Sequence, residues 1–145
     1  MIICDTGPLL AAANVDDLEH AVCLATLTNE TGPLIVPATI VTEVCFMLAK
    51  LSPEAEATFL RSLSAEELKV EVLLPADYTR MADLVVQYGK FPLGAADASV
   101  IAVAERLKVT RVATLDHRHF RQVTPKHCPA LELVPGEHQL ARHQR

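Results

Sequence analysis

An α/β fold, a mainly parallel sheet with helices on both faces, is predicted from three features of the sequence. Short apolar runs alternate with longer stretches of helical periodicity. The apolar runs are continuous rather than alternating, as in strands buried on both faces. Pro and Gly punctuate the junctions between the two kinds of segment.

The first run, 1-MIIC-4, reads as a buried strand. Residues 17–29 place Leu18, Ala21, Val22, Ala25 and Leu27 mostly on one helical face, with Asp16 and Asp17 suited to its N-terminus. Gly32-Pro33 breaks the chain, 34-LIV-36 reads as a second strand, and Pro37 ends it. Residues 39–51 form an apolar helix with Thr39 as a cap candidate. Ser52 is suited to cap the next helix, with Pro53 in its first position and an end near Leu63. A third strand is expected over 70-VEVLLP-75, and Asp77 is placed to cap a helix over 78–89 that Gly89 ends. The loop 90-KFPLG-94 leads into an Ala-rich helix over 95–108. Residues 111–115 and 131–134 read as the fourth strand and a weaker fifth. In such sheets, sites form at the carboxyl ends of strands where the strand order reverses, which selects Asp5 and Asp116.

The 145 residues suit one domain, expected over 1–135, with a polar, flexible tail over 136–145. Half the residues are hydrophobic and 21% are charged, a globular balance. Aromatic residues make up only 4% and Trp is absent, so Leu, Val, Ile and Ala must build the core. No run approaches the ~20 apolar residues of a membrane span. The N-terminal 1-MIICDTGPLL lacks a basic region and carries Asp5, which argues against a secretory signal. Cys4, Cys23, Cys45 and Cys128 show no CxxC pairing and read as free thiols of a cytoplasmic protein. Residues 1–72 hold 3 Lys/Arg and 11 Asp/Glu, a net −8, whereas residues 73–145 hold 10 and 7, a net +3. An acidic protein of net charge −5 is a poor nonspecific nucleic-acid binder, yet its basic half leaves room for a local phosphate-binding face.

Three acids stand alone in apolar windows. Asp5 is the sole charged side chain in 1–15, Glu43 in 31–49 and Asp97 in 91–104. A buried carboxylate is costly unless paired, hydrogen-bonded or metal-bound, and no Lys or Arg lies near in sequence. Each has an ordinary alternative: Asp5 as a helix cap or turn former before Thr6-Gly7-Pro8, Asp97 as a first-turn acid on a helix dipole, Glu43 as an outward-facing helix residue. Together with Asp116 at a strand end they form a set suited to a hard divalent cation, Mg²⁺ or Mn²⁺. A cation so held supports phosphodiester hydrolysis, with one or two ions left open.

These segments resemble the PIN-domain ribonucleases, in particular the VapC-type toxins of type II toxin–antitoxin systems. The resemblance runs over nearly the whole chain: 1-MIICDTGPLLAAA-13, 39-TIVTEVCFMLAK-50 and, most specifically, 92-PLGAADASVIAVAERL-107 followed by 114-TLDHRHF-120. It implies a three-layer sandwich with strand order 3-2-1-4-5. It also implies that Asp5, Glu43, Asp97 and Asp116 hold Mg²⁺ or Mn²⁺ and activate water for RNA cleavage. Thr6 and Thr114 match small polar positions beside the metal site, and Arg118, Arg121 and Lys126 are the bases near enough to meet RNA. His119 departs from the pattern, since many relatives carry a further Asp or Asn there; an additional acidic ligand is therefore absent. His117 and His119 read as residues flanking Asp116. The resemblance further implies a homodimer and a VapB-type antitoxin, joined in a heterotetramer or larger assembly, with no membrane association. A PIN-like RNA-processing or binding module without toxin activity is the alternative. A phosphatase or receiver-like domain lacks its second Asp at 5-DTG-7, and 117-HRH-119 is thin for zinc.

Overall fold

The computed structural model describes residues 1–141. In chain order the elements are β1 (Ile2–Cys4), α1 (Thr6–Ala13), α2 (His20–Asn29), β2 (Leu34–Pro37), α3 (Ala38–Ala49), α4 (Pro53–Ser64), β3 (Lys69–Glu71), α5 (Pro75–Gln87), α6 (Ala95–Leu107), β4 (Arg111–Ala113), α7 (His117–Arg121) and β5 (Glu132–Val134), followed by a 3-10 turn at Glu137–Gln139. The five strands form one parallel sheet in the order β3-β2-β1-β4-β5.

Ile2, Ile3 and Cys4 are all fully buried. Side chains alternate between the two faces of a strand, so burial of three in succession means that both faces of β1 are covered. β1 lies between β2 and β4, with Ile3 opposite both Ile35 and Val112. Chain order therefore reverses at β1: one half of the sheet winds outward through β2, the other through β4. A crevice opens at the carboxyl ends of these two strands, and Asp5 and Thr114 are the residues that follow them.

α6 fills the centre behind this crevice. Ala98 through Glu105 are buried without interruption, as expected of a helix enclosed on all sides. Its alanines allow close approach of neighbours, and α5 and α3 both pack on it. The helix ends at Lys108, which adopts a left-handed conformation at φ 59° in place of the usual glycine. Two ion pairs fix α5 to α6: Arg80 grips Glu105 with two hydrogen bonds of 2.8 and 2.9 Å, and Arg106 reaches Asp77 at 3.0 Å.

Several local expectations are corrected. The helix expected over 17–29 starts at His20, because Asp17 Oδ1 accepts from Glu19 N and holds the preceding residues in a turn. Thr39 does not cap α3; it lies inside the helix, which follows directly on Pro37. The third strand ends at Glu71, and α5 begins at Pro75, so Asp77 sits within its first turn and accepts from Leu74 N at 2.8 Å. α5 itself ends before Gly89, at Tyr88. α7 was unanticipated, whereas α1 realises the capping alternative for Asp5, which is its N-cap residue although the side chain makes no capping bond. Ser52 and Pro53 behave as expected, with Ser52 Oγ accepting from Ala55 N. The tail expected to be flexible from residue 136 is packed as far as it is described: Leu140 is fully buried and Ala141 N donates to Glu19 Oε2. Residues 142–145 of that tail lie outside the described residues.

Candidate active site

Four elements bring the four acids to one cleft. Asp5 leaves β1, Glu43 projects from α3, Asp97 from the first turn of α6, and Asp116 precedes α7. All four line a crevice of about 780 Å³, together with Thr6, Gly7, Leu115, His117, Arg118 and Glu137. Gly7 matters locally: a Cβ there would stand 3.2 Å from the Leu115 side chain, so its absence lets α1 start close against the segment that carries Asp116.

Asp5 is the most enclosed of the acids. Its amide donates to Ala113 O, tying it to β4, and its Oδ2 accepts from Thr114 Oγ1 at 2.8 Å. Thr114 Oγ1 in turn accepts from Asp116 N at 3.0 Å. One buried hydroxyl thus fixes two of the acids relative to each other. Thr39 Oγ1 and Ser99 Oγ meet at 2.6 Å and join α3 to α6, the helices that carry Glu43 and Asp97. Neither role of Thr39 or Ser99 was visible in sequence, because the partners are distant along the chain.

The acids feel one another. Burial raises the Asp5 carboxyl above its ordinary range, the hydrogen bonds from Thr114 and the Thr6 backbone oppose this, and the charges of Glu43 and Asp116 add to it. Asp97 is pushed up to about 6, first by burial, then by the charges of Asp5 and Asp116. His119 opposes the rise at Asp97, and its Nδ1 lies 2.6 Å from Asp116 Oδ2 and 3.5 Å from Asp97 Oδ2. His119 is therefore more than a flanking residue, and this corrects the sequence reading. Asp97, Asp116 and His119 each present a donor atom, all within 4.8 Å of one another. His117, by contrast, is buried, and its pKa is lowered by burial and then by Arg121.

This donor set fits a divalent cation. Crowded carboxylates with raised pKa values are relieved by a shared positive charge, and oxygen donors suit a hard ion. Thr6 Oγ1 is buried beside the same cleft with no hydrogen-bond partner among the described residues, so its hydroxyl has unmet hydrogen-bonding capacity. Of the bases expected near the site, Arg118 stands exposed on the cleft wall. Arg121 pairs with Glu137 at 2.6 Å, at the edge of the cleft. Lys126 is exposed and is not among the residues lining the cleft; its backbone N donates to Glu105.

A crevice of convergent acids at the switch point of a 3-2-1-4-5 parallel sheet defines a class, and comparison with known families agrees: residues 2–125 match the PIN domain, and the chain belongs to that family. Its kinship within the family is with the VapC-type ribonucleases. It is 28% identical over 125 residues to ribonuclease VapC26 of Mycobacterium tuberculosis (strain ATCC 25618 / H37Rv), covering 86% of this chain and 93% of that protein. Among solved structures the fold is shared with M. tuberculosis VapC20, a sarcin-ricin loop cleaving toxin, at TM-score 0.72 and 15% identity, over 77% of this chain and 87% of that one. It is also shared with FitAcB from Neisseria gonorrhoeae at TM-score 0.56 and 19% identity, over 92% and 96% of the two chains.

Proposed function

We propose that this chain is the toxic component of a type II toxin–antitoxin system, an endoribonuclease that uses Mg²⁺ or Mn²⁺ to hydrolyse RNA phosphodiester bonds. The observation that carries the reading is the convergence of Asp5, Glu43, Asp97 and Asp116 from four elements onto one crevice in a chain of the PIN family.

In this reading the four acids, with His119 beside two of them, hold the cation. When bound, it lowers the pKa of the attacking water and neutralises charge on the scissile phosphate. Thr114 keeps Asp5 and Asp116 in register by its two hydrogen bonds. Thr6 supports the cleft wall with its hydroxyl buried, and Arg118 supplies a guanidinium at the mouth for a phosphate oxygen. Arg121, held by Glu137, shapes the rim on the same side and adds positive potential. Glu43 is the most exposed of the four acids, and its charge reaches Asp5 from across the crevice.

The partners in this reading are RNA, a second copy of the chain, and a VapB-type antitoxin, in a cytoplasmic heterotetramer or larger assembly. No helix among the described residues is long and apolar enough to cross a membrane. An intact set of four acids weighs against a PIN-like module that binds RNA without cleaving it. The test is induction in a bacterial host, with RNA 5′ ends mapped genome-wide. Wild type is expected to arrest growth and generate new 5′ ends, and Asp5→Asn or Asp97→Asn to do neither while remaining folded. Growth arrest and cleavage that persist in either variant would overturn the assignment.

A further inference from the structure

A second, smaller pocket adjoins the acid crevice. It has a volume of about 170 Å³ and is lined by Lys90, Phe91, Pro92, Arg118, His119 and Gln122. The two cavities share Arg118, and His119 touches Asp116 and Asp97 from the pocket's side. Its size lies below the ~300–1,000 Å³ of drug-sized sites and suits one planar ring system.

Three features of the pocket call for a ligand. Phe91 is 49% exposed, although aromatic rings carry a large apolar surface that folding normally buries. The turn that carries it is anchored on both sides: Phe91 N donates to Tyr88 O, Tyr88 Oη accepts from Thr124 N, and Leu93 is buried. The ring is therefore displayed by a tethered segment. Gln122 Oε1 is buried with no partner among the described residues, so its side-chain amide has unmet hydrogen-bonding capacity. Lys90 and Arg118, both exposed, form no salt bridge among the described residues.

We infer that this pocket is a nucleobase subsite, in which Phe91 stacks on the base next to the scissile phosphate and the Gln122 amide reads its edge. An aromatic face flanked by cations is the usual platform for an unpaired base, with the backbone held electrostatically. Lys90 and Arg118 take the phosphates on either side, which leads the strand from the pocket into the acid crevice. Selectivity then arises at one position beside the cleaved bond. The inference rests on the ribonuclease reading, and it adds a binding residue, Phe91, outside the acid set.

The test uses two probes. The first is a pool of single-stranded RNA oligonucleotides randomised in sequence, cleaved in Mg²⁺ and sequenced at the new ends. The second is a fluorescein-labelled RNA compared, by anisotropy, with the same backbone carrying abasic nucleotides. Wild type is expected to show a base bias at one position flanking the cut and to prefer the intact RNA over the abasic one. Phe91→Ala should lose both, with KM or Kd raised roughly 5- to 150-fold, the range that stacking of one base on an aromatic ring spans. Phe91→Leu should resemble Phe91→Ala, and Phe91→Trp should restore binding, which separates stacking from apolar bulk. Gln122→Ala should flatten the bias while keeping most of the affinity. Wild-type cleavage with unchanged KM and bias in Phe91→Ala would overturn the subsite and leave the nuclease intact. So would unchanged RNA binding accompanied by weaker self-association or antitoxin binding, which would make Phe91 a protein contact. If wild type cuts no RNA, the nuclease reading fails on its own, and the anisotropy comparison still decides the subsite.

Discussion

At the scale of single residues, the site turns on one hydroxyl. Thr114 is fully buried, donates to Asp5 and accepts from Asp116 N. Thr114→Val keeps the shape and removes both interactions, leaving a buried carboxylate without its side-chain donor at a cost of about 1–3 kcal/mol. Groups that orient metal-holding side chains typically change activity by ~10–100-fold when lost. The variant is expected to remain folded, to melt at a lower temperature, and to cleave RNA with kcat reduced by about that factor. Wild-type turnover in Thr114→Val would show that Asp5 is positioned by the backbone alone. Asp5, Glu43 and Asp97 were legible in the sequence because each is the only charge in an apolar window. His119 was not, because its two acidic neighbours include Asp97, twenty-two positions away, and only the folded chain brings α6 beside α7.

At the scale of elements, α6 carries the largest share of the core and one acid of the site. Its Ala-rich run was readable as a helix because alanine has the highest helix propensity of the residues. Its end was readable to within one residue, at Leu107 against an expected 108, although Lys108 occupies a position where glycine is the usual choice. A left-handed residue with a Cβ costs roughly 1–2 kcal/mol, of which glycine returns part against its own chain entropy. Lys108→Gly is therefore expected to stabilise the protein by about 0.5–1 kcal/mol, read as a shift in the denaturation midpoint without loss of cleavage. Destabilisation by this exposed substitution would mean that Lys108 makes a contact worth more than its strain. α1 was legible only as the capping alternative for Asp5. Thr6-Gly7-Pro8 has turn composition, yet the first turn of a helix tolerates Pro8 because its amide has no intrahelical acceptor. α7 spans only five residues, too few to leave a periodic trace.

At the scale of the whole molecule, the strand order follows from the resemblance rather than from hydrophobic pattern, which says that strands are buried but not which are neighbours. The structure has that order, and with it Asp5 and Asp116 line one crevice at the reversal point, joined through Thr114. Beyond the site, the two halves of the fold are held by ionic contacts whose pH dependence has a definite sign. Glu105 is buried, bridged by Arg80 and by Lys126 N, and its pKa lies below the ordinary 4.5; burial opposes this, and the hydrogen bonds and charges of its partners outweigh it. A carboxyl depressed on folding contributes stability above its unfolded pKa and loses it as pH falls through the folded value. Removing one partner of such a pair costs about 3 kcal/mol. Glu105→Gln is therefore expected to be less stable than wild type at neutral pH, with the gap closing as pH falls below the ordinary 4.5 and through the lower folded value. Urea midpoints measured across that range check it, and a gap independent of pH would assign the loss to packing instead.

Every role proposed for the cleft residues requires the acid crevice to be a cation-dependent nuclease centre. The most direct measurement is cleavage of total RNA by purified protein in Mg²⁺, with and without EDTA, comparing wild type with Asp97→Asn. The expected result is cleavage by wild type alone, abolished by EDTA and restored by excess Mg²⁺ or Mn²⁺, with the circular dichroism of Asp97→Asn unchanged. Equal cleavage by a folded Asp97→Asn protein, or wild-type cleavage indifferent to EDTA, would contradict it.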